Sequence, residues 1–179
     1  MNLETKRLHL RPFALSDLDV LADICARPDT RGFAWEGPKD RSSVAAELRE
    51  WIAEYENGLG SLAIIYKEGG ELIGHVGVSR EEGRYVLSYA LRKDHWCMGL
   101  APEACRKIMA HTFDELEMDE IWTRTRAGNS AWRSMMGRLG MTHRESAGDT
   151  VHYAATAGDF SDAMREHERK VEFGMPIKR

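Results

Sequence analysis

Cysteine is scarce: Cys25, Cys97 and Cys105 are the only three in 179 residues, an odd number with no C-x-x-C spacing. That excludes a disulfide framework and a structural zinc site, and it suits a reducing compartment. Long apolar runs are missing too. None approaches the roughly 18 residues of a membrane span, and the opening MNLETKRLHL lacks the apolar core of a secretory signal. Neither sign of charge dominates: 25 Lys and Arg against 29 Asp and Glu give a net charge of −4. No basic footprint for nucleic acid or for an anionic membrane results. The seven histidines are scattered without HExxH or HxH spacing, so no metal site is expected. Repeats and low-complexity stretches are absent. What the chain does hold, 42% hydrophobic and 30% charged residues, describes one α/β domain of cytoplasmic type. We expect it over residues 1–160, with a charged tail at 161–179 able to form a short helix.

The hydrophobic pattern orders the elements. Leu8, Leu10 and Pro12 alternate with polar neighbours and predict a half-buried strand. Ser16 is placed to cap a helix reaching about residue 26, which Pro28 closes. A loop with Phe33 and Trp35 follows. Val44, Leu48, Trp51, Ile52 and Tyr55 have the spacing of an amphipathic helix over 43–55. Three strands, 61–66, 71–78 and 85–91, are joined by EGGE and REEGR and predict an antiparallel meander. A long helix is expected from Leu100 to Leu116, then a strand at 121–126. A helix opened by Asn129 and strands at 141–145 and 150–155 complete the pattern.

The stretch SYALRKDHWCMGLAPEA concentrates the chemical signal. A strand ends in a polar turn, passes Gly99 and the small Ala101, and enters the long helix directly. Such a join turns free backbone N–H groups and the positive helix end toward an anion.

The order of elements, with TKRLHLRPF, ELIGHVGV, SYALRKDHWCMGLAPEA and GNSAWRSMMGRLGM at their places in it, resembles the GNAT N-acetyltransferase family over residues 2 to about 155. The similarity is strongest to the branch that acetylates ribosomal-protein N-termini and small amines. The resemblance implies a single-domain GNAT-like α/β fold with a mostly antiparallel sheet flanked by helices. It implies acetyl-CoA as co-substrate, no metal, and transfer of the acetyl group to a primary amine, either a small molecule or a peptide N-terminus. A homodimer is compatible with it.

Within the resemblance, Trp96, Cys97, Met98, Gly99, Leu100 and Ala101 lie on the pyrophosphate loop. Gly99 and Ala101 match its pattern, whereas Trp96 departs from the usual Gln or Arg and Met98 brings no charge. Ala90 and Leu91, next to Tyr89, fall on the strand that pairs with the pantetheine arm, and Asn129 matches the coenzyme-contacting Asn. The family's thiolate acid is commonly a Ser or Tyr on the Asn helix, and those positions hold Trp132 and Met136 here. The candidates left for proton handling are Glu36 in the aromatic loop, Tyr153 on the last strand and Ser134. Two rivals remain open at this point: a catalytically weak or inactive module that binds coenzyme or protein, and an acyltransferase with a different acyl-CoA donor.

Overall fold

The computed structural model of the chain describes residues 1–28 and 37–173. Among these, eight strands form one sheet. They are β1 (Leu3–Glu4), β2 (Leu8–Pro12), β3 (Gly60–Tyr66), β4 (Glu71–Glu81), β5 (Arg84–Leu91), β6 (Glu120–Arg126), β7 (Thr142–Ala147) and β8 (Thr150–Thr156). Five helices flank it: α1 (Leu18–Ala26), α2 (Arg41–Glu54), α3 (Leu100–Asp114), α4 (Ser130–Gly137) and α5 (Ala157–Glu172). The spatial order is β1-β2-β3-β4-β5-β6-β8-β7. Every neighbouring pair is antiparallel except β5 and β6, which run parallel.

The alternation in β2 works as its pattern predicts: Leu8 and Leu10 are fully buried while His9 and Arg11 stay partly exposed. The start of α1 differs from expectation. Ser16 does not cap it, because residues 15–17 form a 3₁₀ turn and α1 begins at Leu18. The carboxylate that organises this corner is Asp17, which accepts from the Ala14 N–H at 2.9 Å and from both Arg11 guanidinium nitrogens at 2.8 and 2.9 Å. These bonds from Arg11 hold its pKa below the usual carboxylate value. Asp40 caps α2 by accepting from the Ser43 N–H at 2.8 Å, so this helix starts at Arg41, slightly before the apolar pattern begins.

Two cores lie on the two faces of the sheet. On one, α1 and α2 bury Leu21, Ile24, Val44, Leu48 and Trp51 against Phe13 and Ala63. On the other, α3 and α4 bury Leu100, Ile108, Met135 and Met136 against Leu62, Val76, Leu87 and Leu91. The last helix is tied at its start by Thr156, whose hydroxyl accepts from the Asp159 N–H while the Asp159 carboxylate answers the Thr156 N–H. Its Phe160 ring packs on Phe113 of α3 at 5.5 Å.

The meander β3–β4–β5 is packed tightly enough that glycine is required inside it. A Cβ on Gly74 would lie 2.1 Å from the Ala90 carbonyl oxygen of β5. We therefore expect Gly74→Ala to destabilise the fold by about 1–3 kcal/mol. Calorimetry should find the thermal midpoint lowered by roughly 3–9 °C for a domain of this size. A midpoint within a degree of the parent would contradict the packing described here.

Candidate active site

The centre of the sheet is incompletely zipped. Between β5 and β6 a single register pair, Val86 with Trp122, is present, whereas β6 makes seven pairs with β8 on its other side. The Arg92 N–H donates to the Ile73 carbonyl at 2.8 Å, so strand alternation turns Ala90 and Ser88 toward β4 and Leu91, Tyr89 and Leu87 toward β6. The Leu87 carbonyl is met by the Thr123 hydroxyl at 2.9 Å, which ends the zipper. The Leu91 carbonyl is met by the Trp96 indole N–H at 2.7 Å. Across the gap, the Tyr89 N–H and C=O and the Leu91 N–H face no described strand. Ala90 is paired with His75 of β4, so its backbone points away from the gap.

The side chains of this half-strand point the other way from its edge. Leu87 and Leu91 enter the core under α3, with Tyr89 beside them. Burial, with Cys105 alongside, raises the Tyr89 phenol well above its ordinary value. Burial also pushes the Cys105 thiol up to about 12, which makes it an inert packing residue.

The loop after β5 is built by three local devices. His95 is buried, with Nδ1 at 3.0 Å from Asp94 and Nε2 at 3.2 Å from Glu71, and its ring meets Tyr66 edge-on. Trp96 is anchored through its indole to Leu91. Cys97 and Gly99 then take left-handed backbone angles, φ of 59° and 75°. Gly99 thereby delivers the chain into α3, whose first N–H groups have no intrahelical partner. Cys97 and Met98 are exposed on the outside of the turn.

A cation from the other end of the sequence supports this loop. Arg7 of the β1–β2 turn donates to the Met98 carbonyl at 2.7 Å and to Glu103 Oε2 at 2.8 Å. Glu103, in the first turn of α3, also accepts from the Arg7 N–H at 3.0 Å and the Thr5 hydroxyl at 2.6 Å. Burial pushes the Glu103 carboxyl up, but these bonds outweigh it and hold it below the usual value. Met98 brings no charge to the loop; Arg7 does. TKRLHLRPF contains Thr5 and Arg7, but only their position beside α3 reveals what they do.

The Asn helix is less open than its sequence suggests. Asn129 caps α4 by accepting from the Trp132 N–H at 3.2 Å, and its amide donates to Thr125 of β6 at 3.2 Å. Its side chain thus fixes the helix start to the strand bordering the gap. Trp132 and Met136 are buried, whereas Ser134 is exposed on the opposite side of the helix. Tyr153 of β8 is half-buried, edge-on to Trp132 at 5.7 Å and to His143 at 5.6 Å. The structure therefore brings Tyr153 and Trp132 together and keeps Ser134 apart from them. Glu36, with Phe33 and Trp35, lies outside the described residues.

A family model described as an acetyltransferase (GNAT) domain matches residues 7–142. The chain belongs to the GNAT family. A Bacillus licheniformis protein named "Uncharacterized N-acetyltransferase p20" is 31% identical over 142 residues, which cover 76% of this chain and 80% of that protein. Among solved structures, an acetyltransferase from Agrobacterium tumefaciens is similar with a TM-score of 0.78 and 26% identity, covering 87% of this chain and 94% of its own. A ribosomal-protein-S5-alanine acetyltransferase from Vibrio fischeri shares the fold with a TM-score of 0.73 at 14% identity, covering 89% and 98%. This GNAT chain thus has the α/β fold and acetyltransferase class that its sequence pattern implies. Among the described residues no group of His, Cys, Asp and Glu could hold a metal ion, and no helix is long and apolar enough to cross a membrane.

The Arg7–Glu103 arrangement has a definite pH signature. Because the folded-state pKa of Glu103 is lowered, its contribution is present above the ordinary glutamate value of about 4.3 and is lost as pH falls through the folded value. Glu103→Gln should cost about 1–2 kcal/mol at pH 7. In urea melts the gap between parent and variant should close as pH drops below about 4. A pH-independent gap would mean that Glu103 acts by packing alone.

Proposed function

We propose that this GNAT chain transfers an acetyl group from acetyl-CoA to a primary amine, by direct attack within a ternary complex. The observation that carries the reading is the alignment of two features: the unzipped edge of β5 at Tyr89 and Leu91, and the N–H groups of the loop at Gly99. A pantetheine arm has amides that need partners, and the β5 edge has backbone groups that need the same. A pyrophosphate suits the α3 N-terminus, with its left-handed Gly99 and neighbouring Arg7. Trp96, Cys97, Met98, Leu100 and Ala101 contribute backbone to that cradle. Asn129 acts by holding α4 against the gap. The residues present fit the coenzyme.

The coenzyme supplies an acyl thioester. The Tyr89 N–H, or the Leu91 N–H beside it, donates to the thioester carbonyl oxygen and stabilises the negative charge that develops there. The acceptor nitrogen forms the new C–N bond, the C–S bond breaks, and the sulfur leaves as thiolate. The nitrogen gives up a proton, and the thiolate gains one. Tyr153 is the proton-handling hydroxyl we favour. It lies on β8, paired with Thr123 of β6 in the strand that borders the gap, and its ring is held by Trp132 and His143. Ser134 faces solvent, so it is the weaker candidate.

The acceptor is a primary amine on either a small molecule or a protein N-terminus. The S5-alanine acetyltransferase similarity makes ribosomal-protein N-terminal peptides a sensible first panel beside simple amines.

Two measurements test the reading. In calorimetric titration, acetyl-CoA should bind the parent protein in the micromolar range, while Gly99→Glu should bind at least about 100-fold more weakly, since it adds a carboxylate where phosphates would lie. Gly99→Ala isolates the backbone strain of φ 75° and should lose less. Full binding by Gly99→Glu would refute the cradle. In a free-thiol assay with the amine and peptide panel, Tyr153→Phe should lower kcat roughly 10–100-fold with KM for acetyl-CoA unchanged. An unchanged kcat would remove Tyr153 from the mechanism.

A further inference from the structure

A groove of about 560 Å³ runs between α3 and α5, and its lining includes Arg106, Lys107, Phe113, Met164 and Arg165. Of the seven charged residues in its lining, three are already matched. Glu4 is paired with Lys67, Glu103 with Arg7, and Arg165 with Asp162. Arg106 differs. It is half-buried in the second turn of α3, and among the described residues it makes no hydrogen bond or ion pair. Burial lowers its pKa, and Arg138 and Arg7 push the same way; Glu103 opposes them but is held by Arg7 and Thr5. On α5, burial first and then the positive charges of Arg106 and Arg138 lower the pKa of His167, which favours its neutral ring. Lys107 adds a second positive charge to the lining, with Asp114 and Glu168 the carboxylates left to oppose them.

A partly desolvated guanidinium with cationic neighbours and no bonded partner is an unfavourable arrangement unless an anion arrives from outside. The planar fork of arginine fits a phosphate with two parallel bonds, which a carboxamide or thiol would not exploit. Position narrows the anion further. Arg106 follows Leu100 by six residues, about 9 Å along the helix axis from the first N–H groups of α3. A ligand whose pyrophosphate sits at that helix start reaches Arg106 with the next phosphate it carries, one ribose away.

We propose that Arg106, with Lys107 beside it, binds the 3′-phosphate of the coenzyme in the groove between α3 and α5. The inference rests on the acetyl-CoA reading given above and adds a determinant of coenzyme choice: the groove distinguishes CoA from its dephospho form. Arg106 contacts the ribose phosphate and takes no part in the chemistry at the thioester.

Calorimetric titration of the parent protein, Arg106→Met and Arg106→Lys with CoA and with 3′-dephospho-CoA tests it. The parent should bind CoA at least about tenfold more tightly than dephospho-CoA, the scale of one charge-assisted phosphate contact. Arg106→Met should bring the two within about twofold while leaving the dephospho-CoA affinity unchanged, which also certifies that the variant is folded. Arg106→Lys should keep part of the preference. Equal binding of both forms by the parent would overturn the proposal while leaving the acetyl-CoA reading intact. Equal weakening of both forms in Arg106→Met would make Arg106 a structural residue and overturn it too. Failure of the parent to bind either form would remove the acetyl-CoA reading and this proposal with it.

Discussion

Backbone N–H and C=O groups inside a protein have to be paired, and β5 departs from that rule over its last residues. Up to Val86 it has β6 as a neighbour; beyond Leu87, whose carbonyl takes the Thr123 hydroxyl, the two strands part. The rest of the site follows from this one shortage. Tyr89 and Leu91 are left with directed, unfilled hydrogen-bonding capacity in a gap walled by α3 above and β6 beside. Trp96 fills the Leu91 carbonyl and so fixes where the opening ends and the loop begins. Asn129 ties the start of α4 to Thr125 on the far wall. An extended ligand bearing amides is what such a gap can accept.

The loop is braced by contacts that lie far from it in sequence. Arg7 bridges Met98 and Glu103, joining the first turn of the chain to the first turn of α3 across 91 and 96 residues. That bridge places a positive charge beside a helix start whose own dipole is already positive, and Glu103 keeps the pair from repelling itself apart. The acidic partner thus serves the folded state, while the cation remains close enough to favour an incoming phosphate.

Much of this order could be read from the sequence, because each element declared itself through a different kind of signal. Apolar alternation in Leu8 and Leu10, the helical spacing of Val44, Leu48 and Trp51, and the glycine-bearing join at Gly99 each correspond to a local physical demand. Ser16 misled because Asp17, one residue on, could bond Arg11 and Ala14 at once and took over the corner. The two-residue strand β1 left no pattern to detect. Nor could the sequence reveal that Ala90 turns toward β4 while Tyr89 and Leu91 turn toward the gap, since that parity is set by the register with β4. Arg106 was equally silent. An arginine on an amphipathic helix resembles any solvated cation until its neighbours are known to be Arg7, Arg138 and His167.

The parallel seam has a consequence for how the molecule holds together. On one side of it the β1–β5 strands form a continuous antiparallel ladder; on the other, β6, β8 and β7 form a second. Across it run one backbone register pair, the Thr123 hydroxyl, the ion pairs Arg84–Glu145 and Arg124–Glu81, the Arg84 guanidinium over the Trp122 ring, and the core shared under α3. A ligand bonded to the open β5 edge and bound only by the folded chain stabilises that fold, so the integrity of the seam and its occupancy are thermodynamically linked. On the acetyl-CoA reading, the coenzyme would then contribute to the cohesion of the fold as well as to the reaction.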